Sequence, residues 1–291
     1  MKLGLTCPSF TWAGGDAAIA SKFAAAARGA DEAGLASFWV MDHYWQISIN
    51  GPVEEPMLEG YSALSYAAAL TSRITLGTLV TGVNYRAPGL LVKQMTTLDV
   101  LSGGRGVFGV GAGWFEEEAR GLGFPFPPLA ERFERLEEAL QIAVQMWSGD
   151  EKPYDGRHYQ LERPLNSPQV LSRPRPPIMI GGSGERKTLR LVAQYGDACN
   201  LFQGADLPHK LGVLREHCER LGRPYEAIEK TMMMRAEAGE SVEQFTQRCG
   251  EAAEAGIDHV IVKLPDAADE AGLAMLGEVA ARVAGITPAG R

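Results

Sequence analysis

The residues best suited to proton transfer are Asp42 and His43, which stand side by side after an apolar run at residues 38–41. A neutral imidazole exchanges protons near physiological pH, and a neighbouring carboxylate can fix its tautomer. The apolar run is typical of a buried strand, and ligands of parallel α/β proteins collect beyond the carboxyl ends of the strands. The pair therefore indicates a catalytic site, with a loop-capping aspartate and a structural histidine as the alternative.

Two glycine-rich segments follow other strand-like runs and are suited to receive a ligand. Residues 109–114 read Gly-Val-Gly-Ala-Gly-Trp, and residues 181–184 read Gly-Gly-Ser-Gly. Glycines allow a flat ligand or a phosphate to approach the backbone, and the free N–H groups of a following helix favour an anion. Neither segment has the spacing of the dinucleotide fingerprint or of a P-loop. Close packing at a strand end and an ordinary strand-to-helix turn remain the alternatives.

The composition opposes several classes of protein. The 291 residues include 36 acidic and 28 basic side chains, and the net charge of −8 opposes a nucleic-acid surface. The apolar stretches are too short to span a membrane, and the amino terminus does not have the pattern of a signal peptide. Four widely separated cysteines indicate reduced thiols and hence a cytoplasmic protein. The five histidines lack zinc-binding spacing, so no metal is expected. The acidic run at residues 116–118 is expected to be a solvated surface.

Strand-like and helix-like segments alternate along the chain. The eight predicted strands cover residues 3–6, 38–41, 74–81, 106–110, 178–180, 198–202, 230–235 and 259–263. This alternation implies parallel βα units, and eight such units close a TIM barrel. Residues 1–291 are therefore predicted to form a single α/β domain, a TIM (β/α)8 barrel. Residues 150–177 contain six prolines and little periodicity, and they are predicted to be a long surface insertion with a small hairpin near residue 155.

Several segments, taken in order and spacing, resemble the bacterial luciferase-like superfamily of flavin and deazaflavin oxidoreductases. The chain looks most like the branch that depends on coenzyme F420, and the resemblance extends from the first strand to at least Phe202. The segments are residues 39–43, 76–81 with Arg86 and Pro88, 102–105, 109–114, 131–140, 176–182 and 195–197. The resemblance implies a luciferase-like TIM barrel with an insertion, a cofactor at its C-terminal mouth, and a homodimer.

The resemblance also implies which residues meet the cofactor. Asp42 and His43 would lie beside the deazaflavin ring, and Leu79-Val80 matches the position of a non-prolyl cis peptide in a bulge behind that ring. Residues 112–114 would lie near the ring and its side chain, and residues 181–183 near the phosphate. The full expected set is Asp42, His43, Thr78, Leu79, Val80, Ala112, Gly113, Trp114, Gly181, Gly182, Ser183 and Gly184.

By the same resemblance, the chain is expected to transfer a hydride between coenzyme F420 and a small organic substrate. His43 is the expected acid or base, oriented by Asp42, and Trp45 and Glu59 are expected to line the substrate pocket. Trp114 and Glu117 stand where the sugar-phosphate dehydrogenases of this family have a glutamate and an asparagine, which opposes sugar-phosphate oxidation. The alternatives are an FMN-dependent monooxygenase, a non-catalytic cofactor-binding protein, and a non-redox barrel enzyme that acts on a phosphorylated metabolite.

Overall fold

The computed structural model describes residues 1–290. Eight parallel strands form its central sheet. In chain order they are β1 (Lys2–Cys7), β2 (Ser37–Val40), β3 (Thr75–Thr78), β4 (Gly106–Gly111), β5 (Ile178–Gly181), β6 (Ala198–Leu201), β7 (Glu229–Arg235) and β8 (His259–Lys263). Each strand pairs in parallel with the next, and β8 pairs with β1. The ring is therefore closed and the predicted TIM barrel is confirmed.

Large side chains fill the inside of the barrel. Trp39, Met179, Ala198 and Ile261 form a buried cluster there, each from a different strand. Gly77 makes room for the indole, because a Cβ at this position would lie 2.5 Å from Cζ3 of Trp39. The inside is thus packed rather than open, and free space is left for a ligand only beyond the strand ends.

Nine helices among the described residues surround the strands. They are α1 (Asp16–Glu32), α2 (Gly60–Leu70), α3 (Pro88–Leu101), α4 (Glu116–Gly121), α5 (Leu129–Ser148), α6 (Thr188–Tyr195), α7 (Leu207–Leu221), α8 (Val242–Glu254) and α9 (Glu270–Val283). Ser241 and Gln244 form a capping box at the start of α8. Gly222, in the left-handed region at φ 63°, ends α7.

Two local predictions were wrong, and both corrections concern the mouth of the barrel. The third strand ends at Thr78 instead of residue 81, because the Leu79–Val80 peptide is cis and the chain resumes as the short strand Thr81–Gly82 beside β4. The acidic run at residues 116–118 is not uniformly solvated. It folds into α4, where Glu116 and Glu117 are exposed and Glu118 is fully buried.

The long segment at residues 150–177 is held against the outer helices. It contains the expected hairpin, in which Tyr154–Asp155 pairs antiparallel with Gln160–Leu161. The Glu138 carboxylate of α5 accepts hydrogen bonds from backbone N–H groups of this hairpin, including that of Tyr159 at 3.0 Å. The prediction that residues 1–291 form one domain stays a prediction.

Candidate active site

A cavity of about 940 Å³ opens at the carboxyl ends of the strands. Each of the eight strands contributes at least one lining residue, either near its carboxyl end or directly after it. Among the residues predicted to bind the cofactor, the cavity brings together His43, Leu79, Val80, Ala112, Gly113, Trp114, Gly181, Gly182, Ser183 and Gly184. Four predicted segments, which are far apart in sequence, therefore share one space.

One wall of this cavity is apolar and closely fitted. Val80 follows the cis peptide and packs between Gly111 of β4 and Gly181 of β5. A Cβ at Gly181 would lie 2.8 Å from Cγ2 of Val80, and one at Gly111 would lie 3.1 Å from the same atom. Both glycines are therefore required for Val80 to take this position, and the wall they form presents an aliphatic surface to the cavity.

His43 lies at the cavity with one of its two ring nitrogens already engaged. Its Nδ1 is 2.9 Å from Oε2 of the buried Glu118 carboxylate. A carboxylate accepts hydrogen bonds, so this contact places the proton of a neutral imidazole on Nδ1. Within residues 1–290 no hydrogen bond reaches Nε2, which leaves that nitrogen available to a ligand in the cavity.

Glu118 is held by more than His43. Its Oε1 accepts hydrogen bonds from the backbone N–H groups of Tyr44 at 2.6 Å and Trp45 at 2.9 Å, and the Tyr85 hydroxyl donates to Oε2. Burial of the carboxyl group disfavours its charge, but the hydrogen bonds from His43 and Tyr85 outweigh burial and hold the pKa of Glu118 below its ordinary value. The carboxylate is thus charged and fixed in place next to the imidazole.

Asp42 does not orient His43, which corrects the sequence prediction. Its carboxylate faces Arg86, whose guanidinium donates two hydrogen bonds to it at 2.5 and 2.8 Å. Arg86 also donates to Glu59 at 2.5 Å. Burial opposes the charge of Arg86, but the hydrogen bond to Asp42 outweighs it and raises the pKa of Arg86. Both residues follow β2, and only His43 of this pair lines the cavity.

Three further predicted positions also lie outside the residues that line the cavity. Thr78 is buried and its hydroxyl donates to the Gly109 carbonyl at 2.9 Å. The indole of Trp45 packs against Gly121, where a Cβ would lie 2.2 Å from Cη2 of Trp45. Glu59 caps the start of α2 by accepting hydrogen bonds from the N–H groups of Tyr61 and Ser62. Both Trp45 and Glu59 thus have structural partners and do not line this cavity, and their role in a substrate pocket stays a prediction.

Trp114 and Phe115 form an aromatic rim beside His43. Their rings stack with a centroid distance of 5.1 Å, and both approach the imidazole edge-on. Trp114 is 60% exposed, although it is a large apolar side chain. Gly113 permits the turn that presents it, because its φ is +74° and a Cβ would lie 2.3 Å from Oδ1 of Asn84.

The loop after β5 differs from the expected helix start. Gly182 to Gly184 are followed by a turn, and α6 begins only at Thr188. Ser183 and Thr188 line the cavity, whereas Lys187 turns away and lies over the Phe133 ring. The loop therefore offers hydroxyl groups and backbone to a ligand, and the Lys187 side chain does not line the cavity there.

The opposite side of the mouth was not predicted from the sequence. The residues of β6, β7 and β8 that line the cavity are Asn200, Met233, Arg235 and Lys263. Strand ends of this kind carry no motif, and only the closure of the barrel shows that they face the glycine-rich segments.

In the described part of the chain, no helix combines the length and hydropathy that crossing a bilayer requires.

The chain belongs to the luciferase-like monooxygenase family, whose model matches residues 1–282. This confirms the family predicted from the sequence. A relative from Kineococcus radiotolerans, an F420-dependent glucose-6-phosphate dehydrogenase, is 33% identical over 214 residues. The match covers 70% of this chain and 60% of that protein, so the chain spans less than two thirds of the relative's length.

Solved structures with very different chemistry share the fold. The coenzyme F420-dependent tetrahydromethanopterin reductase of Methanopyrus kandleri has a TM-score of 0.80 at 17% identity, with 97% of this chain and 98% of that chain covered. The oxygenating constituent of 3,6-diketocamphane monooxygenase from Pseudomonas putida, in complex with FMN, has a TM-score of 0.79 at 17% identity, with 99% of each chain covered. At these identities the likeness establishes the fold alone.

Proposed function

We propose that this chain is an oxidoreductase that transfers a hydride between coenzyme F420 and a small organic substrate. The observation that carries the proposal is the pair of His43 and Glu118, which leaves one imidazole nitrogen open to a 940 Å³ cavity with a fitted aliphatic wall. The relative from Kineococcus radiotolerans, which by its name uses F420, supports this choice of cofactor.

The cavity is suited to a flat ring joined to a phosphate. Val80, packed between Gly111 and Gly181, offers an aliphatic face on which an aromatic ring system can lie. The Ser183 and Thr188 hydroxyl groups, together with the backbone of the glycine loop, offer hydrogen-bond donors for a phosphate. When bound, a deazaflavin supplies a ring carbon that gives or takes a hydride, and the protein supplies orientation and proton transfer.

His43 is the proposed acid or base. Its Nε2 takes up or supplies the proton that accompanies hydride transfer at the substrate, while Nδ1 stays bonded to Glu118. The charged Glu118 accepts the hydrogen bond from Nδ1 and fixes the orientation of the ring. Glu118 is therefore a positioning residue, and Tyr85 holds it in turn. Trp114, exposed at the rim, is placed to cover a bound ligand.

The fold does not choose between F420 and FMN, because structures that use either cofactor superimpose equally well. The test is to titrate the purified chain with F420 and with FMN separately and to follow the ligand spectra. We expect tight binding of F420 and weak binding of FMN. Tight FMN binding without F420 binding would replace the proposal by a flavin enzyme. Bound F420 that exchanges no hydride with a panel of alcohols, aldehydes and sugar phosphates would indicate a non-catalytic binding protein.

Gly181→Ala tests whether the aliphatic wall receives the cofactor. The new Cβ would lie 2.8 Å from Val80 and push that side chain into the cavity, so we expect the affinity for F420 to fall by roughly tenfold or more. Gly212→Ala in α7 is the matched control, since a Cβ there meets nothing within 4 Å. Equal F420 affinities for the two variants would show that the ligand does not use this wall.

A further inference from the structure

Two cations stand together at the mouth of the barrel. Arg235 ends β7, Lys263 ends β8, and the two residues are direct neighbours in the register of these strands. Neighbours of a parallel pair point to the same side of the sheet, and both side chains line the cavity. The pair is thus built into the frame of the barrel and does not depend on a loop.

Neither cation has an acidic partner among residues 1–290. Nζ of Lys263 donates a hydrogen bond to the Asn50 amide oxygen at 2.5 Å, and no carboxylate lies within 4 Å of either charged group. The residues that line the cavity include no aspartate or glutamate. By contrast, the guanidinium of Arg86, which does not line the cavity, contacts the carboxylates of Asp42 and Glu59.

The lack of counter-charge here does not follow from the composition. Acidic residues outnumber basic ones, 36 to 28, yet the lining of the cavity carries Arg235 and Lys263 without compensation. Burial and the neighbouring Arg235 lower the pKa of Lys263, so the charged form of this amine is disfavoured at this position. A bound anion would stabilise the charged form.

The cations also lie far from the proposed cofactor wall. In the closed ring of eight strands, β7 is four strands away from β3, which leads into Val80. Met233 and Asn200 line the same side as Arg235, so an apolar surface and an amide adjoin the positive charge. A ligand lying between the two walls would reach Val80 with one face and Arg235 with its other end.

We propose that the substrate carries an oxyanion group, either a carboxylate or a phosphate, which Arg235 and Lys263 hold on the wall opposite Val80. This inference rests on the proposed function for its assignment to the substrate. Guanidinium and ammonium groups bind such oxygens through charge-assisted hydrogen bonds, and the planar guanidinium can do so with two parallel bonds. The glycine loop after β5 is left to the phosphate of the cofactor.

The test compares the wild type with Arg235→Gln, Lys263→Gln and the double variant. Calorimetric titrations at constant ionic strength measure the binding of inorganic phosphate and of acetate to the F420-loaded protein, and acetamide serves as the neutral match for acetate. We expect at least one of the two anions to bind the wild type, the double variant to bind it at least tenfold more weakly, and acetamide not to bind. The variants Arg28→Gln and Lys22→Gln in α1 are the matched controls and should behave as the wild type.

The affinity for F420 is measured on the same variants. It shows whether Arg235 and Lys263 hold an anionic group of the substrate or of the cofactor. An unchanged F420 affinity supports a substrate site, whereas a parallel loss would assign the cations to the cofactor and overturn the inference. Anion binding that is absent from the wild type, or unchanged in the double variant, would overturn it as well. A wild type that binds the anions through these cations but not F420 would refute the proposed function and leave the anion site standing. Arg235→Gln alone changes an exposed side chain, so it keeps the test valid if the double variant fails to fold.

Discussion

The two buried histidines of the described residues, His43 and His259, each contact a glutamate, one at each end of the barrel. At the amino-terminal end, Nδ1 of His259 lies 3.4 Å from Glu229, and Nε2 lies 2.9 Å from the Ser37 hydroxyl. At the carboxyl-terminal end, His43 uses only Nδ1, toward Glu118, and Nε2 remains available to the cavity. We call the His259–Glu229 pair closed, because both ring nitrogens of His259 have partners in the protein. We call the His43–Glu118 pair open, because Nε2 of His43 has none among the described residues.

The difference shows that the pair itself does not define a catalytic site. Ser37 also accepts a hydrogen bond from the Trp39 indole at 2.7 Å, so the His259 pair belongs to a buried network under the barrel core. His43 instead has aromatic rings around its edges and open space at its free nitrogen. A histidine whose two nitrogens are both satisfied by the protein stabilises the fold, whereas one with a free nitrogen can exchange a proton with a ligand.

Replacing each histidine by alanine should separate the two roles most clearly. We expect His43→Ala to lower turnover by roughly 10²–10⁴-fold while F420 affinity stays close to that of the wild type, because general acid–base catalysis is lost. His259→Ala should instead lower the free energy of unfolding by roughly 2–4 kcal/mol, because it leaves buried polar partners unpaired. Turnover, cofactor titration and denaturant unfolding of both variants are the measurements. Unchanged turnover in His43→Ala would remove His43 from the chemistry.

Much of the fold could be predicted because it depends on local patterns. Apolar runs marked every strand to within a few residues, and Ser241 and Gly222 marked helix ends through capping chemistry that acts over one turn. The third strand was predicted to be too long, because a β-branched run does not indicate that the Leu79–Val80 peptide is cis. Only the resemblance to a known family indicated that bond.

The site was harder to predict because its partners come from distant parts of the chain. The adjacency of Asp42 and His43 suggested a dyad, whereas Asp42 pairs with Arg86 and His43 pairs with Glu118. The partner of His43 is Glu118, which lies in an acidic run that was expected to be solvated. Glu118 and Ala119 follow Phe115 by three and four positions, the spacing of one helix face, and this signal for an inward-facing Glu118 was present in the sequence. Arg235 and Lys263 become neighbours only through the pairing of β7 with β8.

Acid titration should probe the closed pair. Burial opposes the charge of Glu229, but hydrogen bonding by His259 and Lys2 outweighs it and lowers the pKa of Glu229 to about 2. A lowered folded-state pKa stabilises the protein above the unfolded-state value near 4.5, and this contribution is lost as the pH falls toward 2. We expect Glu229→Gln to cost on the order of 3 kcal/mol of unfolding free energy at neutral pH and progressively less below pH 4.5.

Denaturant unfolding of Glu229→Gln across this pH range measures the effect. Glu254→Gln on the exposed side of α8 is the matched control, and it should differ little from the wild type at any pH. A cost for Glu229→Gln that is the same at every pH would mean that the charge of Glu229 does not stabilise the fold. The closed pair would then owe its stability to packing alone.

The open pair should respond to Glu118→Gln with a smaller change in turnover than the loss of His43 itself. The amide keeps an oxygen for the Tyr44 and Trp45 N–H groups but removes the negative charge beside Nδ1, so we expect turnover to fall by roughly tenfold to a hundredfold. Steady-state turnover of the variant is the measurement. Glu117→Gln, an exposed neighbour on α4, is the matched control and should leave turnover unchanged. Turnover of Glu118→Gln equal to that of the wild type would mean that Glu118 does not support the chemistry of His43, and the two ends of the barrel would then differ in exposure alone.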